Sequence, residues 1–179
     1  ERIQRINSAM ERYLREGVFR TLPHSFIYTR RELPEGKLRK GLLLALDLER
    51  YSYEKGSESL IRATEGTILD RLPPRIEIRK NAPIELPHIM VLIDDKEDRL
   101  FSLLEEESGD RQKCYSTELM EGGGTVTGYQ ISGKTVFKSI AGIFSGLLAE
   151  GENRIGENPL LFAMGDGNHS FATAKAIWE

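Results

Sequence analysis

The fold turns on the stretch LLFAMGDGNHSFATAKAIWE, residues 160–179. An apolar run, 160–164, meets Gly-Asp-Gly-Asn-His-Ser, and helical spacing resumes from Asn168. The order is strand, glycine turn, helix. The first turn of a helix presents amide N–H groups with no intrahelical acceptor, and a partial positive charge. Glycines before it let the backbone approach a ligand closely and take positive φ. Together these build an anion site, most often for phosphate. Gly165 and Gly167 are the candidate backbone ligands, and Asn168 or Ser170 caps the helix. His169 and Ser170 add side-chain donors beside the anion. Asp166 is the discordant member, because a carboxylate repels phosphate unless Mg²⁺ or a proton lies between them. Lys175 lies about two turns into the helix, in reach of a phosphate or of solvent. The same residues also have a purely structural use, since Asp-Gly is a common turn and Asn and Ser are common caps. The pattern is neither a Walker loop nor a dinucleotide G-x-G-x-x-G, and adjacent His and Ser do not make a triad.

Working back toward the N-terminus, GENRIGENP (151–159) reads as a polar loop, and 134–149 as a helix with one apolar face. KCYSTELM (113–120) and TVTGYQI (125–131) read as two strands bracketing Glu121-Gly122-Gly123-Gly124. A short acidic helix is expected around Arg99–Leu104, and PHIMVLID (87–94) reads as a buried strand. IEIRKNAPIE (76–85) suits either strand or helix. Pro73-Pro74 is expected to stop a short helix near 65–72. HSFIYTRREL (24–33) and GKLRKGLLLALDL (36–48) flank Pro34-Glu35-Gly36 and read as a hairpin, with the run Leu42–Leu46 covered on both faces. Residues 2–16 read as an amphipathic helix ended at Gly17. Strands mixed with helices, some paired as hairpins, define an α+β class: a mixed sheet with hairpins, flanked by helices.

Composition narrows the function. The chain has 179 residues, long enough for a sizeable core, and reads as a single domain or a fragment of a longer chain. Both ends read as cut, because the first helix starts with no capping residue before it and the last ends with no glycine or proline stop. The formal charge is −3, so no overall polycation argues for nucleic acid. Residues 1–50 nevertheless carry eleven basic and seven acidic side chains, an uneven share that suits either an anionic ligand or solvated faces. The single Cys114 rules out an intramolecular disulfide framework and suits a reducing compartment. No apolar run approaches the roughly 20 residues of a membrane span. A cytoplasmic protein without a membrane partner is the expectation, and the sequence leaves the oligomeric state open.

A second constellation is RATEGT (62–67), where Thr64 and Thr67 offer hydroxyls and Glu65 a candidate general base. The alternative there is a helix start capped by Thr64. His24, His88 and His169 show no metal-binding spacing.

Four stretches carry a resemblance. MGDGNHSFATAKAIWE (164–179) resembles the Asp-Gly-His-His-Arg signature of the family called domain of unknown function 1015. SFIYTRREL (25–33), the segment 41–72 and NAPIELPHIMVLIDD (81–95) resemble that family's other segments, in the right order. The terminal box also resembles that of the ParB/sulfiredoxin superfamily, in which the turn and helix bind nucleotide phosphates and which includes ADP-dependent serine kinases. The resemblance implies a ParB/sulfiredoxin-like element around the C-terminal strand-turn-helix. This chain departs from the usual form: Asn168 stands where the family has His, and Ser170 where it has Arg. Lys175 or the basic first third must then supply the missing cation.

The expected function is binding of a phosphate-bearing small molecule, with a nucleotide and Mg²⁺ the leading pair. In enzyme form this is a kinase-like phosphotransferase. Asp166, His169 and Glu65 are its candidate catalytic residues, with Asp166 on Mg²⁺. Gly165, Gly167, Asn168, Ser170, Lys175, Thr64 and Thr67 are its candidate ligand-binding residues. The alternative is a non-enzymatic regulatory or partner-binding module that keeps the turn and helix as scaffold. Proximity of RATEGT to GDGNHS favours the enzyme, and separation favours the module.

Overall fold

The computed structural model describes residues 1–86, 89–109, 112–155 and 158–179. His88 and the start of the expected strand 87–94 lie outside the described residues. The chain is α+β and divides into two compact units, one of residues 22–45 and 95–147, the other of 1–21, 46–94 and 148–179.

The first of these units holds an antiparallel sheet of β1 (Ser25–Glu32), β2 (Leu38–Leu43), β6 (Lys113–Glu118) and β7 (Thr125–Ser132), in the order β2-β1-β7-β6. The expected hairpin forms, with Ile27 opposite Leu43 and Glu32 opposite Leu38. Gly36 takes φ +73° in its turn. The run Leu42–Leu46 is not covered on both faces, because β2 is an edge strand and Leu43 is 38% exposed. β6 and β7 pair across the glycine-rich connection as expected. Helix α3 (Arg99–Glu107) buries Leu100 and Leu104. Asp95, buried before it, accepts the Leu100 N–H at 2.8 Å and Arg99 Nε at 3.2 Å. Burial works to raise the Asp95 pKa, but these donors outweigh it and hold the carboxyl below its ordinary value. Fully buried Tyr28 donates its hydroxyl to Glu105 and packs against Phe101 of α3.

The other unit holds the sheet β3-β4-β8-β5: β3 (Tyr51–Ser52), β4 (Ile61–Arg62), β8 (Phe162–Asp166) and β5 (Met90–Leu92). β3, β4 and β8 run parallel, and β5 runs antiparallel along β8. The expected buried strand 87–94 is thus a three-residue edge, with Met90 54% and Leu92 52% exposed. Helix α1 (Arg2–Arg15) ends as expected at Gly17, with φ +68°, yet none of its residues is buried. Helical periodicity forms such a stripe; neighbours decide whether it is covered.

Pro73-Pro74 corrects the sequence reading. Helix α2 (Leu72–Arg79) begins at this pair, with proline in its first turn, after a single turn at Leu69–Arg71. First-turn amides have no intrahelical acceptor, so proline costs nothing there and its fixed φ suits the helix. The ambiguous segment from Ile76 is therefore helix through Arg79. Helix α4 (Lys134–Ile155) runs further than expected, into the segment read as a polar loop.

The last helix, α5 (Asn168–Trp178), packs Phe171 on buried Tyr51, ring centroids 4.5 Å apart. The Tyr51 hydroxyl is pushed up to about 12 by burial and then by Tyr53. It has no hydrogen-bond partner among the described residues. Among the described residues no helix is long and apolar enough to cross a membrane.

Candidate functional site

Parallel pairing builds the site. β4 and β8 pair with Ile61 beside Phe162 and Arg62 beside Ala163, so both strands deliver their following loops to the same end of the sheet. The carboxyl ends of neighbouring parallel strands form a crevice that loops line. One loop is 63–68, carrying Thr64, Glu65 and Thr67. The other is a single residue, Gly167, because β8 runs through Gly165 and Asp166 before the chain turns. Gly167 is the N-cap of α5 at φ +90°, and no side chain caps the helix there. Neither Asn168 nor Ser170 is the cap; both lie inside the first turn.

The two loops are laced together. Thr64 Oγ1 donates to the Met164 carbonyl. The Ile68 N–H donates to His169 Nε2 at 3.0 Å. Asn168 Nδ2 donates to Glu65 Oε1 at 3.2 Å. RATEGT and GDGNHS are therefore in contact. An accepting Nε2 places the proton of a neutral His169 on Nδ1, where it is a donor.

A cleft of about 340 Å³ opens here, lined by Glu65, Asp166 and the first turn of α5 on one side and by Arg75 and Arg79 of α2 on the other. The volume is at the small end of ligand sites, which begin near ~300 Å³. Arg79, with its side chain only 16% exposed, spans α2 and α5. Its Nη1 donates to Ser170 O at 2.7 Å and Ser170 Oγ at 3.0 Å. Its other nitrogens hold Glu85 at 2.8 and 2.9 Å. Arg75 is exposed, donates to the Arg71 carbonyl at 2.7 Å, and has no ion-pair partner among the described residues.

The candidate residues separate into those at the cleft and those committed elsewhere. Glu65, Asp166, Gly167, Asn168, His169 and Ser170 all line it. Lys175 does not: its Nζ donates to the carbonyls of Leu48 at 3.2 Å and Tyr51 at 2.8 Å. Gly165 has a packing reason, because a Cβ there would sit 3.0 Å from Leu92 Cγ of β5. The Thr64 hydroxyl hydrogen is spent on Met164, and the buried Thr67 hydroxyl has no partner among the described residues. The cations at the cleft are Arg75 and Arg79, which the sequence reading missed. Their i, i+4 spacing marks one helix face, a signal usable only once the helix is known to follow Pro73-Pro74.

Among the described residues no cluster of three or more His, Cys, Asp or Glu side chains is arranged to hold a metal. Mg²⁺ needs no such cage; it is commonly held by one or two carboxylates together with substrate phosphates and water. Asp166, which lines the cleft, fits that role and would supply a protein ligand.

Fold and cleft together define an α+β protein with a small, mixed-charge cleft where two parallel strands end. The family model for the Protein of unknown function (DUF1015) matches residues 1–179, so the chain belongs to that family. Neither a curated protein nor a solved structure matches the chain.

Proposed function

We propose that this cleft binds a phosphate-bearing small molecule, a nucleotide with Mg²⁺ being the leading candidate, and that its enzyme form is a phosphotransferase. One observation carries the proposal: the uncapped N-terminus of α5 opens on a cleft flanked by two arginines of α2. First-turn amides and guanidinium groups are donors that phosphate oxygens accept from. Arg75 and Arg79 supply the cation that Ser170 omits from the helix itself. Asp166 holds the metal, His169 Nδ1–H donates to the phosphate, and Glu65 stands beside Asn168 as the base. The lacing of 63–68 to 166–170 supports an enzyme over the scaffold module. One observation favours the module: Arg79 is already engaged by Ser170 and Glu85.

The test is a thermal-shift screen with ADP, ATP, GTP and phosphate, each with and without Mg²⁺. A ligand at about 100 times its Kd adds about 2.7 kcal/mol, a shift of roughly 5–10 °C for a chain of this size. Arg75→Ala is expected to weaken the hit about 10-fold or more without unfolding the chain, and Asp166→Ala to remove its Mg²⁺ dependence. No shift with any of the four ligands refutes the proposal.

A further inference from the structure

The two arginines at the cleft are in different states. Arg75 is exposed and has no acidic partner among the described residues. Arg79 is the more buried, and its Nε, Nη1 and Nη2 are all engaged. Its two holds differ in kind. Ser170 O and Oγ accept from Nη1, and Ser170 lines the cleft, so this hold fixes Arg79 in the cleft wall. Glu85 takes the other side of the guanidinium, with Oε1 on Nε at 2.8 Å and Oε2 on Nη2 at 2.9 Å.

Glu85 sits six residues beyond Arg79, in the connection 81–86 that leaves α2 and carries neither helix nor strand. Its side chain is 54% exposed. An ion pair with so much water on one partner adds little to the fold. To the cleft it matters more. Two parallel N–H···O bonds along one edge of a guanidinium are how carboxylate and phosphate are both held. The carboxylate of Glu85 therefore fills the edge that a phosphate would take, and it neutralises the charge that a phosphate would meet. An anion entering the cleft finds one open cation, Arg75, and one masked cation, Arg79.

We infer that Glu85 is an internal competitor of the ligand: its carboxylate masks Arg79, and an anionic ligand gains that arginine only by displacing it. This assignment rests on the phosphate site proposed above. The engagement of Arg79 by Glu85 is then the resting state of the cleft, and the hold on Ser170 keeps the arginine in place when Glu85 leaves.

The experiment is calorimetric titration of the 179-residue chain with inorganic phosphate, ADP, ATP and GTP. Glu85→Gln keeps the size of the side chain and removes its charge. It is expected to bind about 5-fold tighter than wild type, the worth of one partly exposed pair no longer broken on binding. Two comparisons separate unmasking from the loss of a negative charge as such. Glu77→Gln removes a carboxylate from the same helix, one that pairs with Lys80 and not with Arg79; its affinity should stay within about 2-fold of wild type. In an Arg79→Gln background the gain from Glu85→Gln should vanish, because there is no cation left to unmask. No gain in Glu85→Gln, an equal gain in Glu77→Gln, or a gain that persists without Arg79 overturns the competitor assignment and leaves the phosphate site standing. Failure of all four ligands on both wild type and Glu85→Gln removes both. Should Arg79→Gln not fold by circular dichroism, or bind too weakly to compare, Glu85→Gln against Glu77→Gln decides.

Discussion

Replacing Gly167 by alanine tests the hinge on which the cleft is built. The residue sits at φ +90°, and an added Cβ would lie 3.2 Å from both Cα and Cγ1 of Ile89. Two costs follow. Left-handed backbone costs an alanine about 1–2 kcal/mol. Contact with the Ile89 backbone adds about 1–2 kcal/mol, since a backbone atom does not swing aside as a side-chain tip does. Loss of unfolded-state freedom returns about 0.4–1 kcal/mol. The net is a destabilisation of about 2–3 kcal/mol. Gly56 is the control in the same unit, at φ +82° with nothing within 4 Å of a Cβ. Gly56→Ala therefore carries the backbone cost alone, about 1 kcal/mol or less after the same entropic return. The assay is urea unfolding followed by circular dichroism and by fluorescence of Trp178, the single tryptophan, which lies in α5. If Gly167→Ala is no more destabilising than Gly56→Ala, the close approach of Ile89 is not what holds the turn, and the account of the hinge fails.

Three further outcomes are expected. Tyr51→Phe is neutral or stabilising at pH 7, because it removes a buried hydroxyl that has no partner among the described residues. The folded-state value of about 12 lies above the ordinary 10.0. Wild-type stability should therefore hold below pH 10 and fall as pH rises toward 12, by roughly 2–3 kcal/mol, a loss that Tyr51→Phe reduces in alkaline unfolding curves. Asp95→Ala should cost about 1–3 kcal/mol through the lost Leu100 and Arg99 bonds. The Asp95 carboxyl is held below its ordinary 3.8, so its contribution is present above that value and fades as pH falls; acid unfolding of the variant should lack this component. Pro74→Ala should change stability by less than about 1 kcal/mol in thermal unfolding, since α2 starts at the proline pair; a large loss would show that the ring packs against something.

Much of the fold was legible because it rests on local periodicity. The hairpin at Pro34-Glu35-Gly36, the pairing across Gly122–Gly124 and the helix from Asn168 each combine a short-range pattern with a turn signal that admits one arrangement. Burial was less legible. Leu42–Leu46 and Met90–Leu92 are apolar enough for interior strands, yet both lie in edge strands or just beyond, since position in a sheet depends on partners distant in sequence. At the cleft, the glycine turn announced itself through residue types that have few other uses. Arg75 and Arg79 did not, because their relation to the turn exists only across the packing of α2 on α5.

The sequence by itself determined the α+β class, the strand-turn-helix ending in GDGNHS, and the candidacy of 62–67 as a second segment. Only the tertiary structure decided that these two segments meet, because parallel pairing of β4 with β8 joins residues about a hundred positions apart. It also withdrew Lys175 to the carbonyls of Leu48 and Tyr51 and brought in two arginines from α2. Local pattern sets what each segment becomes. Which charges share a cleft is set by chain crossings that no local pattern encodes.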